Sequence, residues 1–549
     1  MTLFTLLAPE LVLIGLACVL FFLGTATKAG TRRAAAFVAF FTLAAVFVWQ
    51  LTDFLADPSD LGLVDDMGGM VRGGAFATFV NALVAGVGAT LMLLAWPSDP
   101  DGTGGPGINF GSEAGEFFAL ALLALAGVML VGSANDIVLL FLAIELAAIP
   151  TYIMVSISRP LPVAQEAGVK YFFLGAMAAA VMLFGFSYLY GVTGQTRLDL
   201  IAAAVVNGGP AAGSAWLLLG TLVLLAGFAF KIAAVPLHAY AGDVYQGAAT
   251  PVTALLAFVP KTSGFVAIIK LMSVIGGPQF AVPELVVKVL WALSALTMTF
   301  GNVLGLLQLN IKRVFAYSSI AHSGYMLAAV TALASAHANS GSEAPAVQAA
   351  AIQGVLFYLA AYGMMNTGAF GILLLLPARP DRSLDGSEAV APATTAETFE
   401  DLAGQGRRHP ILGLAMALCC FSLIGLPVTV GFLGKYMLVS PALQAKLNGL
   451  VVILVLNSAV SAAYYLKIVA TLFVRPLPAD EEAAAAEPGR AAPRLAASLP
   501  LVAGVAIAVI GTLFFGVALP ATDALGTRIG SAGLTVSGPL PTPAAPAVV

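Results

Sequence analysis

The sequence predicts an all-α integral membrane protein of 14 transmembrane helices, and three observations lead there. Of its 549 residues, 60% are hydrophobic and only 9% are charged, whereas a soluble domain carries about 25% charged residues. The apolar residues gather into fourteen runs of the roughly 20 residues that a helix needs to cross the hydrocarbon core. Four charged residues stand well inside such runs, where each costs at least about 2.5–3.5 kcal/mol on insertion scales. Backbone groups in lipid must be paired within the chain, so the runs form a helix bundle.

Taken in order, the runs lie near 3–24, 34–51, 75–96, 116–132, 135–157, 166–190, 215–239, 250–275, 284–309, 314–336, 350–376, 411–440, 450–474 and 496–520. The first lacks a basic leading segment and a small-residue cleavage site, which marks a membrane helix rather than a signal peptide. Joints such as Lys28-Ala-Gly30, Arg159-Pro-Leu-Pro162 and Asn207-Gly-Gly-Pro210 separate the runs. The thinnest division is 132–136, between the fourth and fifth. Prolines and glycines beside Lys231 and Lys435, in Lys231-Ile-Ala-Ala-Val-Pro236 and Gly425-Leu-Pro427-Val-Thr-Val-Gly431, break helices 7 and 12 near their middles. Residues 377–410 read as a polar connection with a short helix at 398–403, 480–487 as an acidic solvated linker, and 521–549 as a disordered tail.

The loops divide the basic residues thirteen to four, the four being Arg72, Arg197, Lys446 and Arg528. On the positive-inside rule both termini lie on the non-cytoplasmic side. The pair Lys312-Arg313 most simply serves this topology, and Lys270, Lys288 and Lys467 are expected to anchor at interfaces.

The chemistry points to the mid-run charges. Lys231 follows the uncharged run 216–230, and Lys261 lies eleven residues into its span, about 16 Å deep at 1.5 Å per residue. Glu145 sits within 139–149 and Lys435 within 419–439. A buried carboxyl without a partner takes up a proton, so a base such as Lys231 is expected beside Glu145. One acid and three bases at membrane depth suggest a path for protons or ions. His238 and His322 could relay protons or simply be hydrogen-bonded into the structure. Lys170, at the start of its span, could contribute or snorkel to the interface. Cys18, Cys419 and Cys420 read as small core hydrophobes, and no metal site is expected. The sequence has no nucleotide-binding loop and no dinucleotide fingerprint, so transport must be driven by an ion gradient or by a partner.

Three motifs carry a resemblance: Phe230-Lys-Ile-Ala-Ala-Val-Pro-Leu-His238, Asp243-Val-Tyr-Gln-Gly-Ala-Ala-Thr-Pro251, and Asn310-Ile-Lys-Arg-Val-Phe-Ala-Tyr-Ser-Ser-Ile-Ala-His-Ser-Gly-Tyr325. Over about residues 110–475 the chain resembles the antiporter-like membrane subunits of respiratory complex I, the bacterial proton-pumping NADH:quinone oxidoreductase. Glu166-Ala-Gly-Val-Lys-Tyr-Phe-Phe-Leu-Gly175 and the lysine at 435 favour one branch of that family. The resemblance implies inverted five-helix repeats of helices 4–8 and 9–13. The chain then divides into 1–110, repeats at 111–275 and 276–475, a linker and helix 14 at 476–520, and the tail. Glu145, Lys231, Lys261 and Lys435 become a proton relay, and His238 matches the family histidine after the broken seventh helix. The resemblance also implies no cofactor on this chain, flavin and iron–sulfur clusters in partner subunits, K- and M-type neighbours, the lateral helix of an L-type subunit, and a bacterial inner membrane. A cation/proton antiporter of the same ancestry and a purely structural scaffold are the rival readings.

Overall fold

The computed structural model describes residues 6–24, 29–56, 64–66, 68–97, 113–159, 161–207, 213–377, 396–476 and 498–536. Helices α1 (Ala8–Gly24) and α2 (Ala29–Leu55) lead into a short antiparallel ladder of β1 (Val64–Asp66) and β2 (Val71–Gly73). Then come α3 (Ala75–Leu94), α4 (Ala114–Ser133), α5 (Ile137–Ile157), α6 (Pro162–Thr193), the short α7 (Leu198–Val206), α8 (Ala215–Lys231), α9 (Ala241–Gly247) and α10 (Thr250–Gly276). The remainder is α11 (Glu284–Leu306), α12 (Ile311–Asn339), α13 (Ala344–Leu375), the small α14 (Phe399–Leu402) and α15 (Gln405–Arg408), α16 (Pro410–Ile424), α17 (Val430–Gln444), α18 (Asn448–Phe473), α19 (Leu499–Val517) and α20 (Leu519–Leu534). Ten helices among the described residues are long and apolar enough to cross a membrane. The expected all-α class holds, with the three-rung ladder as an unforeseen addition.

Helix ends follow local chemistry. Asp136 caps α5, its carboxylate accepting from the amides of Val138 and Leu139, so the thin 132–136 joint does turn the chain. Thr398 and Asp401 form a reciprocal capping box at α14, where the sequence led us to expect a short helix. The centre of the bundle is α10, all 27 residues of which are buried. A helix that is apolar all round belongs inside, and α10 packs against α4, α5, α8, α12 and α13. One end of the bundle carries β1–β2, α7 and α20; the other carries the segment 396–409. We refer to these as the hairpin face and the linker face.

Four expectations are corrected. The tail forms α20 from Leu519 to Leu534, because its small residues seat it on α13: a side chain at Gly526 or Gly533 would collide with Gln353 or Ile352, and one at Gly530 would press on Ala349. Arg528 from α20 donates to the carbonyl of Leu55 at 2.8 Å, satisfying the end of α2. Lys270 is no interfacial anchor: it is 6% exposed and donates to the Ala134 carbonyl at 2.5 Å. Lys312 does more than set topology, being buried against Glu397 and the Ala248 carbonyl. Cys18 faces outward from α1, whereas Cys419 and Cys420 are buried as expected. Residues 378–395, the acidic run 480–487 and the chain beyond 536 lie outside the described residues.

Candidate functional site

Two interrupted helices define the site. The first is α8, which ends at Lys231, where Ala233 turns left-handed with φ 54°. The carbonyls and amides released by this break find side-chain partners. Tyr240 donates its hydroxyl to Phe230 O at 2.8 Å, Ser323 donates to Ile232 O at 2.7 Å, and Val235 N donates to Thr297 Oγ1 at 3.1 Å. Non-helical backbone at membrane depth persists only with such partners. Two of the three come from α11 and α12, so the break is tied to the other half of the chain.

Lys231 Nζ donates to Glu145 Oε1 at 2.9 Å and to the Tyr152 hydroxyl at 3.2 Å. Its own side chain is 2% exposed, and that of Glu145 is 13% exposed. The expected acid–base pair therefore forms. Tyr152 fits because position 175 is glycine; a Cβ there would lie 2.2 Å from its hydroxyl. A cavity of about 20 Å³, room for one water, lies between Lys231 and Lys261 and is walled by Tyr171, Tyr240, Tyr245 and Ser319.

Lys261 follows Pro260 inside α10, and its ammonium donates to Ser319 O at 2.5 Å and Ser319 Oγ at 2.7 Å. It also lies 4.3 Å from the centre of the Tyr362 ring, a cation–π distance. His322 continues the line. Its ring lies between Tyr362 and Tyr325, with centroids 5.1 and 5.4 Å away. Its Nδ1 pairs with the Tyr358 hydroxyl at 2.6 Å and its Nε2 with the Tyr465 hydroxyl at 3.2 Å.

The second interruption separates α16 from α17. Gly425 closes α16 with φ 87°, a conformation that glycine adopts without a Cβ penalty. Gly431 N donates to Ser422 Oγ at 3.1 Å across the gap. Lys435, 7% exposed, donates to the freed Ile424 carbonyl and to Ser458 Oγ, each at 2.8 Å. Its ammonium stands 4.9 Å from the Tyr325 ring centre. Lys231 and Lys261 thus border one cavity, Lys261 and His322 share Tyr362, and His322 and Lys435 share Tyr325.

The remaining candidates fall elsewhere. His238 is half-buried, and its Nδ1 has no partner among the described residues. Lys170 is 43% exposed, bonded to Glu166 at 2.7 Å and to Asp243 at 2.9 Å. Asp243 also accepts from Arg313 at 2.6 Å, so Lys170 belongs to a linker-face ion cluster. Beside it Glu397 accepts from Arg159 and from Lys312. Burial pushes the Glu397 carboxyl up, but Lys312 and Arg159 outweigh it and hold the group below the ordinary carboxylate range. Tyr152, Tyr325, Tyr358, Tyr362, Ser319 and Ser458 were missed from sequence. The available signal was polar hydroxyls in apolar helices, which need a partner when buried.

Residues 134–461 match the family described as NADH:quinone oxidoreductase/Mrp antiporter, transmembrane. NADH-quinone oxidoreductase subunit N of Salinibacter ruber is 36% identical over 479 residues, 86% of either chain. The subunit N of Trichlorobacter lovleyi is 40% identical over 365 residues, 66% of this chain and 68% of that one. A chain of Thermus thermophilus respiratory complex I superposes with a TM-score of 0.70 at 27% identity, over 93% of this chain and 97% of that one. A chain of the Mrp complex from a Dietzia species shares the fold, with a TM-score of 0.75 at 19% identity, over 97% and 98%. The buried lysine line thus sits within the matched region, and the chain belongs to the subunit N family of NADH-quinone oxidoreductase membrane subunits.

Proposed function

We propose that this chain is the proton-translocating subunit N of a bacterial NADH:quinone oxidoreductase, with Glu145, Lys231, Lys261 and Lys435 as its proton carriers. The observation that supports the reading is the succession from the Glu145–Lys231 pair to Lys261, His322 and Lys435, with a small cavity between the first two lysines, Tyr362 shared by Lys261 and His322, and Tyr325 shared by His322 and Lys435. While Glu145 stays 2.9 Å away, Lys231 holds its proton. When the pair opens, the proton passes by the one-water cavity to Lys261 and on to Lys435, from which it leaves.

In this reading the helices make fourteen crossings, with α8–α9 and α16–α17 each counted as one broken crossing. Helices 4–8 and 9–13 are inverted repeats occupying 111–275 and 276–475, and both termini lie on the non-cytoplasmic side. The chain carries no cofactor and undergoes no redox change; quinone reduction among flavin- and iron–sulfur-bearing partners drives it. K- and M-type subunits flank it, and an L-type lateral helix runs alongside.

Purification of a tagged chain tests the assignment: co-purifying NADH-reducible flavin and iron–sulfur centres support it, and Na⁺/H⁺ exchange by the chain without them sinks it. Within the assembled complex, Glu145→Ala with Lys231→Ala should abolish most quinone-coupled pumping. Normal pumping by that double variant removes the pair from the relay.

A further inference from the structure

Glu10 is a buried acid that the relay does not use. It lies in the first turn of α1, only 1% exposed, facing α3 and the end of α4 at the hairpin face. Its Oε1 accepts from Ser133 Oγ at 3.1 Å and from Asn81 Nδ2 at 3.3 Å. Its Oε2 has no partner among the described residues, and neither has Oδ1 of the same Asn81, a residue only 3% exposed. Lys270 reaches the same corner but gives its bond to the Ala134 carbonyl.

Two acceptor oxygens without donors now share one enclosed cluster. Burying an ionised carboxylate without full hydrogen bonding costs several kcal/mol, more than a neutral acid in the same place. Asparagine and serine cannot supply the missing hydrogen, since the serine proton is already given to Oε1. A proton on Glu10 removes the buried charge and supplies a donor for the Asn81 carbonyl oxygen, while Oε2 stays as the carbonyl oxygen of a neutral acid, cheaper to leave unpaired than a carboxylate oxygen. A half-turn of the Asn81 amide exchanges its oxygen and nitrogen, bringing Oδ1 to where Nδ2 now stands, within reach of a carboxyl O–H.

We infer that Glu10 is a proton-binding site outside the relay, a neutral carboxylic acid that donates its proton to Asn81. The site sits where it can matter to the relay helix. Ser133 ends α4, and three residues later Asp136 caps α5, the helix that presents Glu145. The inference rests on this cluster alone and stands whether or not the relay reading holds.

The test is infrared spectroscopy of the intact reconstituted complex. The parent should show a carboxylic-acid C=O stretch that disappears in Glu10→Gln and survives in a control at the exposed Glu113. Glu10→Gln, which replaces O–H by N–H, should pump within about twofold of the parent, as expected when a hydrogen-bonding group is kept. Asn81→Leu removes the acceptor and should shift the same band upward, giving a second reading if Glu10→Gln does not assemble. A spectrum in which neither variant changes an acid band overturns the inference. So does a thermal stabilisation by Na⁺ that Glu10→Gln abolishes, which makes the cluster a cation site instead.

Discussion

Lys231 and Lys435 end up in equivalent places, each beside an interrupted helix and each over 90% buried, yet their surroundings differ in kind. Lys231 faces a carboxylate at 2.9 Å and a tyrosine hydroxyl. Lys435 faces a backbone carbonyl and a serine hydroxyl, with a tyrosine ring beneath. An ammonium paired with a carboxylate is a neutral unit that low-dielectric surroundings tolerate. An ammonium held only by dipoles stays a net charge and is the easier of the two to discharge. On the proposed relay reading, this difference would set a direction, with Lys231 as the retaining end and Lys435 as the releasing end.

The sharpest way to break this comparison is Lys435→Arg. Guanidinium keeps the positive charge but does not release a proton at accessible pH. If Lys435 is the releasing site, pumping per NADH oxidised should fall about 100-fold, the scale of lost acid–base function, in a complex that still assembles. Parent-like pumping would mean that Lys435 only anchors packing. Glu145→Gln attacks the other end. It leaves Lys231 without its counter-charge, and breaking a buried pair costs about 3–5 kcal/mol while the lysine stays charged. Pumping should drop at least about tenfold, and the variant should melt lower than its parent. A melting point unchanged by Glu145→Gln would show that the two ends do not differ in charge compensation.

Glu397 bridges segments that flank both interrupted helices on the linker face. It receives Arg159 from the α5–α6 turn and Lys312 from α12, and its amide bonds Asp401. Because these bases depress its carboxyl below the ordinary 4.5, the sign of its linkage is fixed. The contribution is complete above that ordinary value and is lost as pH falls through the depressed one. Melting temperature should therefore drop on acidification below the ordinary carboxylate range. Glu397→Gln should melt lower at neutral pH, by roughly 3–5 kcal/mol of stability, and show a weaker acid dependence. An acid limb identical in parent and variant would assign it to other carboxylates.

Much of the candidate site was legible because a charge inside an apolar run is costly whatever surrounds it. Glu145, Lys231, Lys261 and Lys435 could be placed from depth alone, and prolines and glycines marked both breaks. Depth along a helix is not depth within the bundle, however, and that is where the reading failed. Lys270 and Lys312 lie near helix ends, yet neighbouring segments cover them: β2 and α20 on the hairpin face, the 396–409 strap on the linker face. Arg313, next to Lys312, turns instead to Asp243, a division that no linear pattern encodes. The tyrosines and serines around the candidate lysines were invisible for a similar reason, since their partners come from helices distant in sequence. α20 escaped because three glycines within 519–534 lower its helix propensity, and its helix depends on the surface of α13 that it covers.

The finest test of the comparison is Ser458→Ala. At Lys435 the ammonium has two hydrogen-bond acceptors, Ile424 O and Ser458 Oγ, and Ser458 itself also donates to Ile424 O at 3.2 Å. Removing the hydroxyl takes away one dipole and leaves the carbonyl, which no side-chain substitution can remove. A hydrogen bond to a charged group is worth about 1.5–3 kcal/mol, but relaxation of the lysine toward Ile424 O recovers part of it. The corresponding change at the other end, Tyr152→Phe, removes one acceptor from Lys231 and leaves Glu145 in place. If charge compensation is what separates the ends, Ser458→Ala should change pumping more than Tyr152→Phe, by about two- to fivefold against less than twofold on that scale. The measurement is pumping rate across a range of external pH in reconstituted vesicles, where Ser458→Ala should move the profile and Tyr152→Phe should leave it in place. Equal shifts would mean that the carboxylate beside Lys231 gives no more hold on its proton than a carbonyl gives Lys435.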